Sequence, residues 1–245
     1  MYDGSHSVTF ILTNGDRYNS WKDWFLIPTS APVAAAPAER TSYVTVPGRS
    51  GSWDLSQSVA GRPTFDDREG SWEFYVDNGH FAWQTVYSTV MAALQGRRMK
   101  VILEDDPSYY YEGAVWVDKP SREKNFSKIT LKYRLAPYKK EITSSVEDWA
   151  WDTFNFETDV VREYGSIAVS GSYTLDLRGT PEPLYPTITL LSGSLNLQVY
   201  RGQTEIYNAA LATGASAPVL VELGLYRFIF TGTGTVRVAY RGGVF

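Results

Sequence analysis

Between Val46 and Ser56 the chain reads VPGRSGSWDLS, with an arginine, a tryptophan and an aspartate set among a proline and two glycines. Arg and Trp are among the side chains most enriched at recognition hot spots. Pro47 fixes φ at the second position of a turn and Gly48 accepts a positive φ at the third, which predicts a type II turn. Gly51 permits a second bend, so Arg49 and Ser50 are held outward on a rigid tip, with Asp54 securing the loop base and Trp53 packed nearby. Burying such a loop in its own core would strand the guanidinium, which is costly without a paired acid. The chemistry offered here is recognition, not turnover.

Elsewhere the groups that catalysis needs are missing or misplaced. LEDDP clusters Glu104, Asp105 and Asp106, but adjacent residues at a strand end point to different sides, and the acid-glycine spacing of a calcium loop is missing. The segment reads as a solvated turn. GASAP around Ser216 has Pro218 where a nucleophile elbow needs glycine, and no histidine follows it. TGTGTV lacks the third glycine of a dinucleotide fingerprint and leads into a strand, which predicts a hairpin turn. His6 and His80 are the only histidines, and there is no cysteine, so thiolate and zinc chemistry have no material. Acids are common enough to form a glycosidase pair anywhere, but nothing favours one. The reading is a non-enzyme with no catalytic, cofactor or metal residues.

Aromatic residues are the positive signal. Trp149 and Trp151 share one face of WAW at two-residue spacing, either as a core face or as a sugar-stacking platform. Tyr109–Tyr111 reads as a strand with one tyrosine exposed.

Composition sets the frame for these residues. A chain of 245 residues with 43% hydrophobic and 15% aromatic content has material for two cores. The net charge of -4 argues against a general nucleic-acid binder. No apolar stretch approaches membrane-spanning length, and MYDGSHSVTF lacks the pattern of a signal peptide, which predicts a soluble chain made in a cytoplasm. Residues 1–140 carry a net +1 and residues 141–245 a net -5, and the last lysine is Lys140. That discontinuity puts a domain boundary, expected as an exposed linker, in Pro137–Glu147.

The elements before the boundary are strands with one helix. HSVTFIL, DWFLI, TSYVTV, SWEFYV and MKVILE read as strands, and Asn14-Gly15 as a turn. In KITLKYRL the apolar residues Ile129, Leu131, Tyr133 and Leu135 alternate with polar ones, giving one dry face and one wet. Three prolines in PTSAPVAAAPAE forbid a central strand, so this segment is an extended arm over the surface or over a neighbour. Trp83, Val86, Tyr87, Val90 and Leu94 recur at helical spacing, with Asp77 or Asn78 as a cap and Gly96 closing the helix. Beyond the boundary, WAWDTFNF, SIAVSGSYTLDL, TITLLSG, LNLQVY, VLVEL, YRFIFTG and TVRVAYRG predict about seven short strands of a sandwich or jelly roll. The fold class is mainly β.

In succession, NSWKDWFLIPTSAPVAAAP, YVTVPGRSGSWDLS, GRPTFDDREGSWEFYV, the helix ending ALQGRR, KVILEDDPSYYYEG and LKYRLAPYKK resemble the distal tail protein (Dit) family of long-tailed phages and prophages. The resemblance covers residues 6–140, and LGLYRFIFTGTGTVRVAYRGG is similar to the galectin-like sandwich that follows in that family. It implies an α+β ring-forming N-terminal domain over 1–140 and a galectin-like domain over 141–245. It also implies a baseplate protein of the virion, assembled in the host cytoplasm as a homohexameric ring. That ring would join the tail tube protein to the baseplate hub or tail fibre protein, with receptor-binding proteins as further partners. DNA would pass its channel without specific binding, and no membrane insertion is implied. Sugar-binding galectins use a histidine, and none follows residue 80, a departure that speaks against a galectin-type glycan site. On this reading Pro47, Gly48, Arg49, Gly51, Trp53 and Asp54 form an interface to a neighbouring subunit or tail component. The alternative is a non-catalytic carbohydrate-binding module or adhesin, supported by the tryptophans.

With Trp149 and Trp151 read as core, Trp→Ala at either position lowers the stability of the second domain by ~3–5 kcal/mol in urea titrations. A stable double variant that loses oligosaccharide binding on a glycan array would establish the platform instead.

Overall fold

The computed structural model describes residues 3–123, 125–147, 163–214 and 217–245; Trp149, Trp151 and Ser216 lie outside the described residues. The chain divides into two compact units, Met1–Lys139 with Phe245, and Lys140–Val244. Both are built of strands, and the described residues hold one helix, so the protein is mainly β.

The first unit contains β1 (Val8–Leu12), β2 (Arg17–Asn19), β3 (Leu26–Pro28), β4 (Tyr43–Thr45), β5 (Ser52–Asp54), β6 (Arg68–Val76), β7 (Arg98–Leu103), β8 (Tyr109–Arg122) and β9 (Ser127–Leu135). Seven of these form an antiparallel path in the order β2-β1-β7-β8-β9-β6-β3, while β4 and β5 pair only with each other. The clean alternation in β9 sets its faces: Ile129, Leu131, Tyr133 and Leu135 are buried. Helix α1 (Gly79–Leu94) lays Trp83, Val86, Tyr87, Val90 and Leu94 into the same core, against β8, β6 and β9. Each such side chain contributes about 1.5–3 kcal/mol of hydrophobic stabilisation. Gly96, at φ +71°, closes the helix as its spacing suggests. The expected side-chain cap does not form. Asn78 holds the cap position with φ -141° and ψ 47°, outside the extended region that aims a cap side chain at the first-turn amides.

At the junction, Lys139–Glu141 is not an exposed linker but a half-buried strand, β10, paired with β15 (Gly243–Val244). The remaining strands of the second unit are β11 (Ile167–Gly179), β12 (Thr187–Arg201), β13 (Thr204–Ala210) and β14 (Gly224–Ala239). They form one antiparallel sheet in the order β11-β14-β12-β13.

The many short strands expected from the sequence are therefore fewer and longer. TITLLSG and LNLQVY are one strand, β12, as are YRFIFTG and TVRVAYRG in β14, and within VLVEL only the isolated Leu184–Val221 bridge pairs. The glycines between these segments bend the strands rather than end them. Gly171 pairs with Gly232 and Gly193 with Gly234, two residues further along β14, so the glycines of three strands form a staggered row across the sheet. On either side of the row the strands are amphipathic, and the buried residues of both halves belong to a single core. The sheet is thus folded over on itself. TGTGTV is the crease in β14, not the predicted hairpin turn. A one-residue bulge between Leu190 and Ser192 keeps the two halves of β12 in phase, so that Leu190 and Leu197 both face inward.

The crease has a direct test. A Cβ at Gly232, where φ is +124°, would sit 2.4 Å from Ser194 O, whereas one at Gly171, where φ is +84°, would meet nothing within 4 Å. Gly232→Ala is expected to destabilise the protein by about 2–4 kcal/mol, combining strain with overpacking, and Gly171→Ala by about 1 kcal/mol from strain alone. Equal costs in urea titrations would show that contact across the crease does not set the bend.

Candidate assembly interface

The Pro/Ala segment meets the sheet before it leaves it. Among the described residues its backbone has no strand partner between Ala31 and Pro37, and side chains of the sheet take that role. Trp72 donates its indole N–H to Val33 O at 2.9 Å, and the Tyr133 hydroxyl donates to Val33 O at 3.2 Å. The same hydroxyl accepts the Ala35 N–H at 2.9 Å. Arg68 donates Nη1 to Ala35 O at 2.7 Å and Nε to Pro137 O at 2.9 Å, with its guanidinium 5.4 Å over the Tyr111 ring. Pro32 and Ala34 are buried beneath this strap. The arm thus lies over its own sheet for its first half.

Arg68 is 4% exposed, and among the described residues it makes no ion pair. Burial pulls its pKa below the ordinary arginine value, offset in part by Tyr111 and Tyr133. A guanidinium stays charged through such a change. Its positive charge is therefore met by two carbonyl dipoles and a tyrosine face.

Past Ala38 the chain stands away from the core as the β4–β5 hairpin. Its register places Val44 opposite Trp53, and Tyr43 opposite Asp54. Directly opposed residues share a face, so Val44 and Trp53 make one apolar surface, which Val46 and Leu55 continue by alternation. Tyr43 is 62% exposed, Trp53 52% and Val59 99%. An isolated two-stranded hairpin is marginally stable in water, and this one leaves its apolar surface exposed.

The six residues singled out in the sequence all fall on this hairpin. The Arg49 N–H bonds to Val46 O at 3.2 Å and Gly48 has φ +84°, which is the type II turn read from Pro47-Gly48. Gly51, at φ +80°, makes the second bend. Trp53 and Asp54 lie on the return strand β5 rather than in a loop. The Arg49 guanidinium caps the Trp53 ring at 5.1 Å. Asp54 accepts the backbone N–H of Ser56 at 2.9 Å and also its hydroxyl, and these bonds hold its carboxyl below the usual aspartate range. Ser56 Oγ in turn accepts the Ser42 N–H at 2.9 Å, which ties the base of the hairpin across both strands.

The other candidate residues disperse. Glu104 accepts the Ser7 N–H, Asp105 meets His6 and Asp106 pairs with Lys139, so the three acids of LEDDP point to three partners. Among the described residues no group of acids and histidines is placed to hold a metal. Tyr110 and Tyr111 are buried and Tyr109 is half-buried. Among the described residues no helix is long and apolar enough to cross a membrane. What the sequence reading missed is the polar docking of the arm. The signal was present in Trp72, Tyr133 and Arg68, which share the dry face with aliphatic neighbours yet carry donors that must be satisfied.

No protein-family model matches the chain, and no curated protein matches it. The structure aligns with the crystal structure of the Dit protein of phage SPP1 over 96% of this chain and 98% of that one, with a TM-score of 0.60 and 14% sequence identity. The chain has the Dit fold. SPP1 Dit is described as a paradigm of the hub adsorption apparatus in phages that infect Gram-positive bacteria. At 14% identity the Dit fold is shared through packing and topology, and few residues carry over.

Removing the Tyr133 hydroxyl leaves the Ala35 N–H without its acceptor. Tyr133→Phe is expected to cost about 1–2 kcal/mol and to raise amide exchange selectively in residues 33–36, with β1 unchanged. Uniform exchange across the first unit would mean that the strap is held by apolar contact alone.

Proposed function

We propose that the protein is a structural component of a phage or prophage tail tip. It acts as a homohexameric ring that joins the tail tube to the baseplate hub or tail fibre and leaves a central channel for DNA. The observation that carries this reading is the likeness of nearly the whole chain to SPP1 Dit, both units included. Residues 1–140 form the ring, and residues 141–245 are the galectin-like sandwich, available to receptor-binding proteins of the tail. The virion is where it works, and its role is connection rather than catalysis.

The hairpin supports this reading on separate grounds. A closed ring of identical subunits needs two different complementary surfaces on each copy. An exposed hairpin bearing Tyr43, Val44, Trp53 and Arg49 has the composition of the central part of such a surface. Pro47, Gly48 and Gly51 shape its tip, and Asp54 fixes its base. A net of +1 over residues 1–140 also suits a channel wall, because phosphate affinity comes from clustered Lys and Arg.

Mass photometry of the purified chain is expected to show a particle six times the 27.5 kDa chain mass, and a heavier one that contains six copies when its tube and hub proteins are added. A monomer under both conditions overturns the ring.

A further inference from the structure

The hairpin leaves and re-enters the body at one place. There Arg40 N–H bonds to Thr64 O and Asp66 N–H to Ala38 O, each at 2.8 Å. Beside this root lies a groove of about 380 Å³ lined by Ala36, Ala38, Asp66, Asp67, Glu69 and Arg134. Arg134 Nε is 2.9 Å from Asp67 and 3.4 Å from Glu69, and Arg40 pairs with Asp66. Three carboxylates therefore share two guanidiniums, and a single nitrogen of Arg134 serves two of them. The rim keeps one negative charge in excess, with acceptor positions on Glu69 still open to solvent, where its side chain is 65% exposed. Ala36 and Ala38 add a small, apolar part to the lining that suits the aliphatic stem of a long side chain.

The tip of the hairpin has the converse character. Arg49 makes no ion pair among the described residues, and its positive charge rests on the Trp53 ring. Arg49 lies eleven positions along the chain from Ala38, a reach of at most ~40 Å. While β4 and β5 stay paired the tip does not fold back to its own root. A cationic knob and an anionic socket at opposite ends of one projection meet only between copies, and such a contact repeats head to tail.

We propose that the groove at the hairpin root is the socket for Arg49 of the adjacent copy. The incoming guanidinium takes the open oxygens of Glu69 and Asp67, its stem lies along Ala36 and Ala38, and the excess charge of the rim is cancelled. Planar two-point contact with carboxylates is the geometry arginine offers and lysine does not. This inference rests on the ring reading above and names the partner of its interface.

Charge exchange tests it in the full-length chain. Arg49→Glu and Glu69→Arg are each expected to weaken assembly at least about tenfold, because each places like charges in contact. The pair Arg49→Glu with Glu69→Arg is expected to restore assembly to within about threefold, and far-UV circular dichroism should be unchanged in all three. Glu69→Arg leaves the shorter Asp67–Arg134 pair in place, so loss of fold is not expected to confuse the result. If the wild-type ring forms and Arg49→Glu assembles equally well, the socket is wrong and the ring reading stands. Loss in both single variants without rescue in the pair also overturns the socket. A wild-type chain that stays monomeric with its tail partners overturns both.

Discussion

A backbone that no strand accompanies still has to satisfy its amides and carbonyls, and this constraint governs the first unit. The Pro/Ala arm cannot join the sheet edge, because proline offers no donor to a ladder. Its polar groups at Val33 and Ala35 are taken instead by Trp72, Tyr133 and Arg68, which rise from β6 and β9. Those strands are fixed by their burial against α1, so the helix, the sheet and the arm form a chain of dependence. The direction in which the hairpin departs is set by these bonds. Arg68 ties the arm to the end of the sheet, since it also donates to Pro137 O, while its buried Nη2 has no hydrogen-bond partner among the described residues.

The second unit solves a different problem with a different residue. A four-stranded sheet has two faces and needs a cover for one. Here the cover is its own other half, brought round by a row of glycines that accept positive φ and close approach of backbone carbonyls. Because the strands run through the crease, register established in one half is transmitted to the other. Phe228 and Phe230 on one side and Val236 and Val238 on the other belong to the same strand and the same core.

Much of this was legible in the residues. Strict alternation in β9 and the helical stripe of α1 are direct consequences of burial on one side, and both were readable without coordinates. The type II turn at Pro47-Gly48 followed from backbone geometry alone. Other features were not legible, for physical reasons. Glycine marks both strand ends and strand bends, so the long strands of the second unit were divided into short ones. Asn78 carries the right side chain for a cap but not the backbone angles. The groove at the hairpin root joins Ala36 to Arg134, residues nearly a hundred positions apart, and no local pattern announces it. Trp149 and Trp151 remain a reading of sequence, outside the described residues.

The wet face of β9 has a consequence for polyanions that meet it. Lys128 pairs with Glu73, Lys132 with Asp118, and Arg134 with Asp67 and Glu69, so each cation of this face is already engaged by a neighbouring strand. A polyanion gains affinity by exchanging its condensed counterions for free ammonium and guanidinium groups. Here that exchange is pre-empted by internal carboxylates, so the face stays hydrated yet offers a polyanion few free cations to bind.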